Sequence, residues 1–401
     1  MSISGNAVVG QSGGPTAVIN QSMVGVVEGL RAHGNGNVAK ILGAKHAVAG
    51  IVKSDFIDLT DTPQATLDLV AGTPSSALGS SRDKPDAAYC ERIFEAFEKN
   101  DVRYFFYIGG NDSSDTCRIV NEVAKSKGYD LRAYHVPKTI DNDLMVNDHT
   151  PGFGSAAKFV AQALMGDNLD NKALPGVKVD IIMGRHAGFL TAASMLGRQD
   201  ATDGPHLIYV PEAPLSIDKL MSDVDRIYKA QGRCLIAMSE GVHDADGTPL
   251  AAKLAEESGT EIEKDSHGNI QLSGSGALGD FISTAIKTKL GIKRVRADTL
   301  GYMQRSFAGC VSASDAAEAR AAGYKAAELA CTGEHSDGSI AMLRTDDPYA
   351  MRYERIEISD IAAKTKHLDT KYVVDGCDID ESFRAYAAPI VGDLPPVGKL
   401  F

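Results

Sequence analysis

The stretch "VRYFFYIGGNDSS", residues 102–114, decides the fold. Its first seven residues are apolar on both faces, the pattern of a strand buried inside a parallel sheet. Gly109 and Gly110 end that strand, and a helix is predicted from about Ser113 with Ile119, Val120 and Val123 turned inward. Strand, glycine turn and helix make one β–α unit, and the rest of the chain repeats it.

Upstream, "NAVVG" (6–10) reads as a strand. After a glycine-rich turn, Val18, Ile19, Met23, Val26, Val27 and Leu30 share one helical face. "VAKILGA" (38–44) is the next strand. Downstream come the strands "LRAYHV" (131–136), "VDIIM" (179–183), "HLIYV" (206–210), "RCLIAM" (233–238) and "KRVRADTL" (293–300). Helices are predicted from near His186, over 216–231 with Gly232 as its terminator, and over 312–330 with Ser312 or Ser314 as cap. The polar run 258–269 reads as a surface excursion. Repeated β–α units imply an α/β protein of largely parallel sheets sandwiched by helices, in two three-layer lobes with a cleft between them.

Bulk properties narrow the function. A chain of 401 residues is long enough for two cores. With 41 Lys+Arg against 53 Asp+Glu, the net charge is −12, so neither nucleic acid nor an anionic membrane is an expected partner. An anionic substrate would need locally gathered cations. The six cysteines form no C-x-x-C pair and read as reduced thiols. The N-terminal residues lack a signal-peptide pattern and no apolar run approaches a membrane span, so a cytoplasmic, soluble protein is expected.

In open α/β sheets ligands sit beyond the carboxyl ends of strands, and four strand ends here carry unusual residues. In "GQSGGPTAVIN" (10–20), Gly13 and Gly14 let backbone N–H groups approach an anion at a helix start, although a plain tight turn would look the same. No GK[ST] follows, so this is not a Walker loop. In "IGGNDSS" (108–114), Asn111 and Asp112 stand at a helix mouth, where Asp112 can either help hold Mg²⁺ or cap the helix. In "PKTIDNDL" (137–144), Lys138, Asp141 and Asp143 crowd a proline-stiffened loop. One carboxylate can accept a hydroxyl proton, the other can orient metal or water, and the lysine can neutralise phosphate charge; an Asx-turn network is the structural alternative. In "IIMGRHAG" (181–188), Arg185 suits phosphate or a salt bridge. Arg82, Lys84, Arg296 and Arg305 are further cations where strands or turns end, and Glu240 in "SEG" can take sugar hydroxyls. No H-E-x-x-H or His-x-His pair marks a zinc site.

Taken in order, "GQSGGPTAVIN", "LGSSR", "IGGNDS", "PKTIDND", "MGRHAG", "SEG" and "GYMQR" resemble the phosphofructokinase family, specifically its pyrophosphate-dependent branch. The resemblance implies reversible Mg²⁺-dependent phosphoryl transfer from pyrophosphate to the 1-hydroxyl of fructose 6-phosphate. Carried over by position, it makes Asp141 the general base and Asp143 its supporting aspartate. Thr139, Ile140, Met183, Gly184, Arg185, Glu240, Tyr302 and Arg305 become substrate residues. Arg296 becomes an arginine lent by a neighbouring subunit, so a homodimer or homotetramer is implied. Gly13, Gly14, Arg82 and Lys138 would hold the diphosphate.

Asp112 and Lys138 stand where ATP-using members commonly have glycine. A carboxylate at Asp112 would meet the α-phosphate of a nucleotide, and two like charges ~4 Å apart cost about 4 kcal/mol at an effective dielectric of 20, roughly a thousandfold in affinity. Asn111 replaces the aspartate many members use for magnesium, which implies a weaker, neutral ligand helped by water or Asp112. The resemblance also divides the chain into a donor lobe, 1–152 with 304–355, and a sugar-phosphate lobe, 153–303 with 356–401. Two alternatives stand beside this reading: an ATP-dependent 6-phosphofructokinase of the same fold, and a non-catalytic sugar-phosphate sensor. NAD and lipid kinases share the glycine turn but lack the "TIDND" and "MGR" pair.

Overall fold

The structure is a computed structural model that describes residues 3–258, 276–333 and 335–400. The polar excursion expected at 258–269 therefore lies, beyond residue 258, outside the described residues. In chain order the strands that build the two main sheets are β1 Gly5–Gln11, β2 Val38–Ala44, β3 Phe56–Asp58, β4 Val102–Gly109, β5 Arg132–Pro137, β6 Val177–Ile182, β7 Leu207–Tyr209, β8 Cys234–Ser239, β9 Val295–Thr299, β10 Asp337–Asp346 and β11 Tyr349–Ile356. Contacts divide the chain into two compact units, Met1–Ser155 with Arg305–Lys366, and Ala156–Gln304 with His367–Phe401. Residues 356–366, expected with the second lobe, pack with the first unit.

The first unit is a seven-stranded sheet in the order β11-β10-β5-β4-β1-β2-β3. Its central pairs are parallel, whereas β3 and β11 add antiparallel edges. The interior strand β4 carries Phe105 and Phe106 to opposite faces, and each ring is fully buried in a different apolar cluster. One cluster packs under helices Ile19–His33 and Ala313–Thr332, the other under Ala87–Lys99 and Asn111–Ser126. All six residues read as one face of the first helix are buried. Ser312 is the cap of the long Ala-rich helix, accepting from the Asp315 amide.

Helices Ile19–His33 and Ala313–Thr332 cross through glycines. A Cβ on Gly25 would lie 2.0 Å from the Arg320 carbonyl, and one on Gly323 2.0 Å from that of Ser22. Gly25→Ala must push two backbones apart, so thermal melting is expected to fall by the equivalent of about 3 kcal/mol. Gly166→Ala, in helix Phe153–Ala173 where a Cβ meets nothing within 4 Å, is expected to raise it slightly, by up to about 1 kcal/mol.

The second unit is a four-stranded parallel sheet ordered β7-β8-β6-β9. Its core gathers the inward residues of these strands with Leu220, Met221 and Val224 from helix Ile217–Gln231, which stops at Gly232 in the left-handed region at φ 72°. Two sequence expectations need correction here. The helix predicted from near His186 begins only at Phe189 and runs five residues, because Gly184 at φ 134° turns the chain and residues 185–186 form a bend. Arg296 does not end a strand: it is the second residue of β9, exposed on the sheet edge opposite Lys178. The six cysteines are free thiols, five of them buried. No helix among the described residues is long and apolar enough to cross a membrane.

Candidate active site

In the first unit the carboxyl ends of β1, β4 and β5 lie side by side, which brings three of the four marked stretches together. The turn after β1 is fastened on two sides: the Ser12 amide donates to the Ile108 carbonyl at 2.8 Å and the Gly13 amide to the Ser81 carbonyl at 3.0 Å. Ser80 Oγ donates to the Gly13 carbonyl at 2.6 Å, so the "LGSSR" segment is laced to the glycine turn. Gly13 sits at φ 76°, where a side chain would be strained.

Two cations converge on this turn. Lys138 Nζ donates to the Gly14 carbonyl at 2.8 Å, and a Cβ on Gly13 would stand 3.2 Å from that ammonium. A Cβ on Gly14 would stand 3.1 Å from Arg305 Cζ. Arg305, which the resemblance assigned to the sugar phosphate, thus lies against the donor turn within this unit. Lys138 is 3% exposed, and its pKa is pulled down to about 7, chiefly by burial and then by the Arg305 charge; Asp141 and Asp143 oppose the shift. The glycines are what let an ammonium and a guanidinium come this close to the backbone.

The helix after β4 begins at Asn111, two residues earlier than expected, with Gly110 rather than Asp112 as its cap. Asp112 occupies the first turn and pairs with Lys84 Nζ at 2.9 Å, both side chains being mostly exposed. Asn111 Nδ2 lies 3.4 Å from Asp143 Oδ2, while Asn111 Oδ1 is buried without a hydrogen-bond partner. A buried amide oxygen left unsatisfied beside a carboxylate is an environment a hard cation completes. The donor set near Asp143 therefore fits a divalent metal through Asn111, and Asp112, the other expected ligand, lies in an exposed pair with Lys84.

The "PKTIDND" loop is fixed along its length. The Lys138 amide donates to the Gly109 carbonyl, the Thr139 amide to the Pro151 carbonyl, and Thr150 Oγ1 to the Thr139 carbonyl. Thr139 Oγ1 accepts from the Asp141 amide at 3.1 Å. Ile140 is buried and Asp141 and Asp143 are half-buried. Burial raises the Asp143 pKa, against the Thr139 hydroxyl and the Lys366 and Lys138 charges, which lower it.

In the second unit β6 and β8 are neighbours, so "MGR" and "SEG" lie together. Ser239 Oγ donates to the Gly184 carbonyl at 2.6 Å, and a Cβ on Gly241 would fall 2.0 Å from the Arg185 carbonyl. Met183 is buried, with its amide donating to Gln304 Oε1. Glu240 is 6% exposed and its amide donates to the Ile182 carbonyl, whereas Arg185 and Tyr302 are exposed. Sequence reasoning missed Glu212, whose Oε1 accepts from the Gly188 and Leu368 amides. It also missed Lys366; neither residue lies in a glycine-marked strand end.

A parallel-sheet strand end that presents a glycine turn, clustered cations and paired aspartates defines a phosphoryl-transfer class of site. The chain belongs to the phosphofructokinase family: the family profile described as Phosphofructokinase matches residues 6–330. It is 54% identical over 389 residues to the pyrophosphate–fructose 6-phosphate 1-phosphotransferase of Rhodospirillum rubrum, covering 97% of this chain and 94% of that one. It is 36% identical to the protein of the same name from Halomonas elongata, covering 98% and 93%. A crystal structure of the pyrophosphate-dependent phosphofructokinase of Marinobacter aquaeolei superposes with a TM-score of 0.85 at 31% identity, over 98% of this chain and 94% of that one.

Proposed function

We propose that this protein transfers a phosphoryl group reversibly between pyrophosphate and the 1-hydroxyl of fructose 6-phosphate, giving fructose 1,6-bisphosphate and phosphate. The observation that carries the choice of donor is the buried Lys138 ammonium under the twin-glycine turn, with Arg305 beside it. The similarity to two enzymes named for this reaction supports the same reading. Gly13, Gly14, Arg82, Lys138 and Arg305 would hold the diphosphate. Thr139, Ile140, Met183, Gly184, Arg185, Glu240 and Tyr302 would hold the sugar phosphate, with Arg296 offered to a neighbouring subunit of a homodimer or homotetramer. Asp141 takes the proton of the attacking hydroxyl, and the cations hold the charge of the transferring group in place.

A divalent ion, proposed as Mg²⁺, would be held by Asn111 Oδ1 and Asp143, and would supply charge neutralisation at the phosphates when bound. Six free thiols suit a reducing compartment, and a cytoplasmic location is proposed on that ground. The reading is tested by incubating the purified protein with fructose 6-phosphate, pyrophosphate and Mg²⁺. Fructose 1,6-bisphosphate and phosphate are expected in equal amounts, and their absence refutes it.

The lowered pKa of Lys138 gives this reading a pH signature. In the free protein the ammonium is charged below about pH 7 and loses its proton above it. A diphosphate held by that charge binds less well as pH rises, so the KM for pyrophosphate is expected to climb by up to about tenfold per pH unit above 7. Lys138→Arg carries a charge that does not titrate in this range and should flatten that climb. A profile of equal slope in both proteins would assign the effect elsewhere.

A further inference from the structure

The loop that bears Asp141 and Asp143 is held in a costly backbone shape. Asn142 sits at φ 57° and Val146 at φ 68°, the left-handed region that a β-branched residue rarely adopts. Asn tolerates this region, but a valine there persists only where the surroundings over-determine it. No helix or strand spans residues 141–148.

Much of the restraint comes from a residue more than 200 positions away. The Lys366 amide donates to the Asp143 carbonyl at 2.7 Å. Its Nζ donates to the Asp148 carbonyl at 2.7 Å, the Asn147 carbonyl at 2.9 Å and Asn142 Oδ1 at 3.3 Å. One residue thus grips both ends of the 142–148 segment. Asn142, which accepts one of these bonds, is fully buried at the left-handed position between the two aspartates. In a second tie the Met342 amide donates to Asn147 Oδ1 and the Asp148 amide to the Met342 carbonyl, but it reaches only the far end of the loop. Lys366 thus couples the far end of the loop to Asn142 and Asp143, beside Asp141.

We propose that Lys366 is a positioning residue for phosphoryl transfer, whose ammonium and amide clamp the 142–148 segment so that Asp141 and Asp143 keep their reactive placement. Several N–H donors on one cationic head match three acceptors that no neutral side chain of that length can serve together. The inference rests on Asp141 and Asp143 acting as proposed above. It goes beyond that reading by assigning a role to a residue outside every recognisable motif.

The test compares wild type, Lys366→Met, Lys366→Gln and Lys366→Arg, with exposed Lys364→Ala as control. Two readouts are used: steady-state kinetics with fructose 6-phosphate, pyrophosphate and Mg²⁺, and hydrogen exchange of peptides covering 141–148. Lys366→Met is expected to lower kcat about a hundredfold, the scale of a small misplacement of catalytic groups, while both KM values change by less than about threefold. Exchange in 141–148 should quicken at least about tenfold while that of the β4 core is unchanged. Lys366→Arg should recover most of kcat, and Lys364→Ala should match wild type. If Lys366→Met does not fold, Lys366→Gln, which keeps fewer donors, carries the same comparison.

The proposal is overturned if a folded Lys366→Met or Lys366→Gln retains wild-type kcat and exchange. It is overturned equally if kcat falls only with a matching rise in both KM values and no recovery in Lys366→Arg, which would mark a general structural role. Absence of turnover in the wild type would refute the proposed reaction instead, and the exchange data would still decide whether Lys366 holds the loop.

Discussion

Asp141→Asn is expected to reduce kcat by about 10²–10⁴-fold while fructose 6-phosphate still binds with near-normal affinity, as measured by calorimetric titration. The amide keeps the shape of the carboxylate but cannot accept the hydroxyl proton. The expectation rests on the role proposed for Asp141, and the neighbouring titratable groups have other partners. His135 is fully buried, its ring bonded to the Gly109 carbonyl and Ser339 Oγ, and burial pulls its pKa down to about 4. His149 is buried between Asp148 and Glu318. Asp143 Oδ2 lies 3.4 Å from the Asn111 amide nitrogen, beside the proposed metal ligand Asn111 Oδ1. Asp141 is the residue proposed above as the base, and its place on the rigid loop, with its amide held by Thr139 Oγ1, supports that reading. A variant retaining more than about a tenth of wild-type kcat would move the base to another residue.

The second large effect is a change of donor. In the double variant Asp112→Gly, Lys138→Gly, kcat/KM for pyrophosphate is expected to fall about a thousandfold and ATP is expected to become the better donor. Lys138→Gly removes a desolvated cation from beneath the glycine turn, where low dielectric makes its attraction for a short anion strong. Asp112→Gly clears the first turn of a helix whose N-terminal amides otherwise favour phosphate.

The Lys84 pair bears on the role proposed for Asp112. With an ammonium 2.9 Å away, the carboxylate is not a lone charge, so part of the exclusion is the volume of the paired side chains. Lys138→Gly alone should lose pyrophosphate without gaining ATP, and Asp112→Gly alone should gain weak ATP use. Initial rates with both donors across the four proteins separate these contributions. A double variant that still prefers pyrophosphate by a hundredfold would show that discrimination resides elsewhere.

What could be read from the sequence follows from where physical constraint is local. Strands such as β4 and β8, buried on both faces, announce themselves as apolar runs closed by glycine or a small residue, and that pattern was enough for the parallel architecture. The β10–β11 hairpin escaped because β11 alternates half-buried and exposed residues at a sheet edge, which leaves no apolar block. The early helix expected at His186 failed because Gly184 and Gly241 pack a bend there, a tertiary contact between segments more than fifty residues apart.

The candidate site divides in the same way. Gly13, Gly14, Lys138, Asp141 and Asp143 sit in strand-end turns whose composition is odd for loops, and the structure gathers them in one unit. Arg305 and Lys84 stood out as cations at strand or turn ends, but their partners, Gly14 and Asp112, come from distant positions; the Glu212 acceptor and the Lys366 clamp depend on such distant pairings too, and nothing in their local sequence marks them.

The central claim, that the buried Lys138 and the first-turn Asp112 select a bare diphosphate over a nucleotide, is tested most directly by kcat/KM of the wild-type protein with each donor at saturating fructose 6-phosphate and Mg²⁺. The account predicts a preference for pyrophosphate of at least about a hundredfold, from the Lys138 charge and the paired Asp112 side chain together. Comparable values with pyrophosphate and ATP would contradict it.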